Sequence, residues 1–384
     1  MNITIPMPLQ VVIEDVGWWS GTDGSSHNQP FRTAMGRRHV PKDFEAIADL
    51  GKKLGMRPLA AMVLCEWDRE NILRDIPTAT WLGKEWDNTH NRGDWLDRAS
   101  DIIQKNEKHL EVGLHGVGHE YWENGTLSRS EFHDEKGFMR PDAARHLDYF
   151  GRLMDQNNLG PFPRVFVPPA LNHSFGNNKK GFQHILKAFG VHYVSTIFNR
   201  ARAFSPPIHK KLTWECGVIL IERGEAPVPW HQIAASPAPP AHGPILPLHW
   251  TNILHPDPRR NIEVVTQWVD VLKPFQEKFH WMLAPDTPSC WTQFAAKELA
   301  TITPIKNGVQ INLEKLADLP ANTLTDHIYL NIKKTCPDSW EIKNGTILST
   351  THRNTFYTLK IRPDNHTRPI FIRSKSKSVP PAAR

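Results

Sequence analysis

Between residue 9 and about residue 285 the chain alternates short apolar runs with stretches of helical periodicity, and few folds accept that order. The runs include Leu9–Ile13, Arg57–Leu64, Leu110–Leu114, Arg164–Val167, Val191–Thr196, Val218–Ile221 and Ile245–His249. Between them lie helical patterns at Pro41–Gly55, Trp95–His109, Pro141–Asn158, Lys180–Phe189 and Asn261–Phe279. In the first of these, Phe44, Ile47, Leu50 and Leu54 recur at three- and four-residue spacing before the stop at Gly55. Repeated β–α units imply a parallel sheet or barrel. Seven or eight strands over about 280 residues fit a TIM-like barrel, complete or incomplete. A doubly wound sheet is the alternative, but no GxGxxG or Walker pattern supports it.

After about residue 300 the period changes to two, as in Val309–Leu313, Ile328–Ile332, Phe356–Ile361 and Ile370–Ile372. Asn307-Gly308 and Asn344-Gly345 are hairpin turn signals. We read a barrel domain over 1–298, an antiparallel β-sandwich over 299–373, and a disordered basic tail over 374–384.

Composition closes other routes. At 39% apolar and 22% charged residues the chain can bury a core. It has no apolar run long enough to span a membrane. Its first ten residues lack a secretory leader pattern, so a cytoplasmic location is expected. Cys65, Cys216, Cys290 and Cys336 are far apart, which reads as reduced thiols rather than a disulfide framework or cysteine zinc site. The net charge of +6 owes much to the tail, and no nucleic-acid-binding motif is present. No nucleic-acid or membrane partner is therefore expected, and the oligomeric state stays open.

In β/α barrels chemistry collects at the carboxyl ends of strands. The first strand runs into Glu14-Asp15, the third into His115-Gly116-Val117-Gly118-His119, the fourth into Pro168-Pro169, and a late one into His249-Trp250. The two glycines argue against a helix, so His115 and His119 would meet through a folded strand-end loop. One carboxylate and two imidazoles form a usual shell for zinc, or for cobalt, nickel or iron, with positions left open. Asp15, His115 and His119 are the expected ligands, Glu14 the base and His249 the acid. Trp18, Trp122 and Trp250 follow these motifs and, with Pro168, are candidates for a substrate wall. Each signal has a plainer reading: a chance HxxxH among 20 histidines, a loop charge, or core packing.

The order of an acidic pair, HxxxH, a proline-containing strand end and Leu246-Pro247-Leu248-His249 resembles the NodB-type polysaccharide deacetylases. That resemblance implies an incomplete (β/α)7 barrel and metal-dependent removal of acetyl groups from N-acetylated sugars. It assigns the base position to Glu14, ligand positions to Asp15, His115 and His119, and the general-acid position to His249. Two departures stand out. The family's base is Asp, and the Arg that orients it precedes the proline, where this chain has Val167. Arg164 lies too early to replace it, and Trp214-Glu215 is the nearest match to the family's fourth motif. Three rivals remain: a glycosidase using Glu14 and Glu120 without metal, an inactive glycan-binding barrel, and a nucleic-acid binder using the tail.

Overall fold

The computed structural model describes residues 2–22, 30–123, 126–177, 181–240, 243–334 and 340–374. Cys336 and the tail residues 375–384, on which two of the expectations fall, lie outside them. The chain is mixed α/β and divides into two compact units. One comprises Leu9–Pro274 and Leu283–Thr287; the other gathers Met1–Pro8, Phe275–Met282 and Pro288–Arg384.

The larger unit is built on β1 (Met7–Val16), β2 (Leu59–Val63), β3 (Glu111–Gly116), β4 (Val165–Phe166), β5 (Tyr193–Thr196), β6 (Leu212–Glu215), β7 (Val218–Glu222) and β8 (Ile245–His249). Their order along the sheet is β6-β7-β5-β4-β3-β2-β1-β8. Every pairing along this order is parallel except β6 with β7, a hairpin turning at Cys216-Gly217. β6 carries too little apolar alternation to be read from sequence. Buried on both faces along most of their length, the parallel strands are rich in Val, Ile and Leu.

Helices α1 (Pro41–Leu54), α2 (Asp94–Lys105), α3 (Ala143–Gln156), α4 (Phe182–Ala188) and α5 (Asn261–Leu272) connect or follow the strands. In α1, Pro41 starts the helix, Phe44, Ile47, Leu50 and Leu54 are buried on one stripe, and Gly55 ends it at φ 68°. The long helix expected over Asn261–Phe279 stops at Leu272 and tightens to a 3-10 turn over Lys273–Glu277, where a proline interrupts.

The sheet must curl. β1 and β7 are five strand positions apart, about 24 Å on a flat sheet. Yet Arg223, the residue after β7, places Nη2 only 2.5 Å from Oε1 of Glu14 on β1.

The smaller unit contains β9 (Thr301–Ile305), β10 (Gly308–Asn312), β11 (Ile328–Lys333), β12 (Trp340–Lys343), β13 (Gly345–His352), β14 (Phe356–Pro363) and β15 (Ile370–Ser374). They form two four-stranded antiparallel sheets, β9-β10-β15-β12 and Ile3–Thr4 with β11-β14-β13. Val309, Ile311, Leu330, Ile332, Leu359, Ile361, Ile370 and Ile372 are buried there. Asn307, at φ 59°, turns β9 into β10 as its Asn-Gly signal predicts. Asn344 does something else: at φ 62° it sends the chain from β12 in one sheet to β13 in the other. The same dipeptide chemistry makes the bend, but sequence does not say which sheet the next strand joins. Ser374, expected in the tail, ends β15. Cys65 is a buried free thiol. No helix among the described residues is long and apolar enough to cross a membrane.

Candidate metal centre

The acidic pair sits at a fault in the sheet. Ile13 pairs with Ala60 and Val16 with Met62, so Glu14 and Asp15 together face one residue, Ala61. Strand side chains alternate sides, so neighbours normally point apart. This bulge breaks the alternation, and Asp15 takes φ 59°, letting both carboxylates line one cavity. β3 shows the same device. Met62 pairs with Leu114 and Val63 with Gly116, leaving His115 as the extra residue. Gly116 then adopts φ 151° and His119 φ 64° as the chain folds back.

Asp15, His115 and His119 can offer ligand atoms that all lie within 4.8 Å of one another. Asp15 Oδ1 is 3.5 Å from His115 Nε2 and 3.8 Å from His119 Nε2. The far nitrogens are anchored. His115 Nδ1 is 2.7 Å from the Val167 carbonyl, which can only accept, so Nδ1 carries the proton and Nε2 turns to Asp15. His119 Nδ1 lies 2.9 Å from Glu120 Oε1. Imidazoles fixed from behind by a carbonyl and a carboxylate, beside a second carboxylate, suit a divalent cation.

Electrostatics keep the acids ionised. Burial opposes charge on Asp15, but the hydrogen bond from His115 and the charges of His119 and His249 hold it at about 2. Burial likewise opposes charge on Glu14, and Arg223, His249 and His115 outweigh it, leaving Glu14 below its ordinary value. For His119, burial is outweighed by Glu120 and Asp15, which raise it to about 9. A cation arriving at Nε2 has to displace that proton.

His249 completes the ring. Register pairs it with Glu14 on adjacent strands, and its Nε2 lies 3.9 Å from Asp15 Oδ2. Glu14, Asp15, His115, His119 and His249 thus share one cavity of about 280 Å³, along with Arg223 and Trp230.

The expected substrate wall is not where sequence placed it. Trp18, Trp122, Trp250 and Pro168 are buried and do not line the cavity. Trp250 packs face to face with His39 at 4.1 Å. Trp18 lies behind Arg32, whose guanidinium is 5.3 Å from it and 5.1 Å from Trp81 and is held by Glu66 at 3.1 Å. Trp122 packs toward Trp81. Proximity in sequence to a strand end did not decide which way these rings turn. The aromatic surfaces in the cavity belong to Phe31 and Trp230, both in long loops.

Arg223 was also missed. It comes from the end of β7, distant in sequence from Glu14, and only the curl of the sheet joins them. Glu215 instead caps the Gly176 N–H outside the cavity, and Arg164 reaches Tyr193. Glu120 faces His119 and the Phe31 N–H, not the cavity.

No family model matches the chain, and no curated protein matches it by sequence. Among solved structures it is similar to a family 4 carbohydrate esterase from Streptomyces lividans in complex with acetate. That likeness has a TM-score of 0.33 and 8% identity, covering 75% of this chain and 95% of the other. It is also similar to a Mycobacterium smegmatis protein assigned to the polysaccharide deacetylases, with a TM-score of 0.32 and 12% identity over 61% and 73% of the two chains.

Proposed function

We propose that the chain is a metal-dependent amide hydrolase that removes the acetyl group from an N-acetylated carbohydrate. The observation that carries this reading is the convergence of Asp15, His115 and His119 beside a separate, ionised Glu14 and opposite His249. A divalent cation of the zinc type on those three residues would acidify a water and polarise the acyl carbonyl. Glu14 then takes the water's proton, with Arg223 fixing one of its oxygens. His249 delivers a proton from Nε2 to the departing nitrogen, so water and amide become acetate and amine. Trp230 and Phe31 give the sugar its apolar faces. Glu120 is turned away from the cavity, so the Glu14–Glu120 pair of a metal-free glycosidase is not assembled there.

The same reading takes the curled sheet as an incomplete (β/α)7 barrel spanning 1–298, with its seam between β6 and β8, and residues 299–373 as a β-sandwich. It keeps a cytoplasmic location, and no nucleic-acid or membrane partner.

Elemental analysis of the purified chain, with acetate release from N-acetylglucosamine oligomers, tests the proposal. About one equivalent of metal is expected in the parent and almost none in His119→Ala. Acetate release should vanish on chelation and return with zinc. Activity that survives chelation, or a parent that holds no metal after reloading, overturns it.

A further inference from the structure

We infer that Glu131 is the positioning residue of this centre, a buried carboxylate around which the loop carrying His119 is wound. The inference rests on the reading of Asp15, His115 and His119 as cation ligands. Glu131 is fully buried. Its Oε1 accepts the Val117 N–H at 3.0 Å, and its Oε2 accepts those of Gly118 at 3.1 Å and His119 at 3.0 Å. Its own backbone N–H donates to the His119 carbonyl at 3.0 Å. Both backbone polar groups of His119 are therefore tied to one residue twelve positions away.

Three successive N–H groups turned on one anion form a backbone nest. Here the nest is filled by the Glu131 side chain. It has a conformational purpose. His119 sits at φ 64°, a strained region for a residue with a side chain, and such strain persists only where surroundings fix it. Gly116 clears the space: a Cβ there would fall 2.2 Å from Glu131 Oε2, at φ 151°. Behind the carboxylate, His146 Nδ1 donates to Oε1 at 2.8 Å. His146 Nε2 donates to Thr78 Oγ1 at 2.9 Å, whose hydroxyl passes on to Asp142 at 2.6 Å. The orientation of His119 is thus set by a chain of groups that never touch the cavity.

The experiment measures zinc affinity by competition with a chromophoric chelator, and the visible spectrum of the cobalt-loaded protein, for the parent, Glu131→Gln and Gly116→Ala. Far-UV dichroism of the metal-free proteins reports folding. Glu131→Gln puts an amide where three N–H donors converge, while Gly116→Ala displaces the carboxylate without removing it. Both should remain folded, bind zinc about 10- to 100-fold more weakly, and show altered cobalt bands. Parent affinity and spectrum in either folded single variant overturn the inference while leaving the hydrolase reading intact. A parent that binds no zinc overturns both.

Discussion

Glu14 and Asp15 are neighbours in sequence and differ in environment. Asp15 is ringed by three histidines, whereas Glu14 is paired with a guanidinium. The first arrangement suits a ligand, the second a base that stays ionised. Replacing Arg223 with Met should therefore leave metal content at the parent value while lowering kcat about 100-fold or more, because the buried carboxylate loses its partner. Elemental analysis beside steady-state kinetics separates the two effects. Trp230→Ala should raise KM about fivefold with kcat little changed, while Trp122→Ala, a core change, should lower the melting temperature instead. Equal KM effects from both would show that the substrate does not use the cavity's aromatic surface.

At the scale of elements, most of the parallel strands and the helices were legible because burial on both faces makes continuous apolar runs and amphipathic helices make regular stripes. The residues that converge as candidate ligands drew notice for a narrower reason: they stand at strand ends, where the chain must leave the core. What sequence hid was geometry made by irregularity. Two bulges set Glu14, Asp15 and His115 toward one space, and neither has a sequence signature. Arg223 follows a strand like any other loop residue. Trp18 and Trp250 looked like site residues because ring direction depends on packing partners far away. Gly17 marks another such constraint, just past β1. At φ 112°, a Cβ there would lie 2.3 Å from the Val63 carbonyl. Gly17→Ala should cost about 2 kcal/mol or more, read from denaturant midpoints, and should weaken metal binding through the adjacent bulge. A neutral effect would mean that β1 and β2 can part without consequence.

For the molecule as a whole, two buried histidines raised to about 9, His119 and His146, make stability depend on pH, and His146 does so from outside the candidate ligand set. Both nitrogens of His146 act as donors, to Glu131 and to Thr78, which requires the imidazolium. Burial opposes that charge, but the hydrogen bonds to Asp142 and Glu131 raise His146 to about 9. Because the folded value lies above the unfolded one, the contribution is complete below about pH 6.5 and is lost as pH rises through 9. It amounts to at most about 3 kcal/mol. Melting temperature should fall between pH 7 and pH 9.5, and His146→Gln should flatten that part of the profile; an unchanged slope in the variant would locate the dependence elsewhere.

The curl of the sheet has a further consequence. The three candidate ligands come from β1 and the end of β3, two positions apart, whereas the Glu14–Arg223 pair bridges strands five positions apart. Any loosening that lets the two margins drift separates that pair first and leaves the ligands together. If the proposed function holds, gentle heating or dilute denaturant should therefore yield a protein that still carries its ion and has stopped turning over. Chemistry is the tightest measure of how far the sheet has opened, and metal content is a late one.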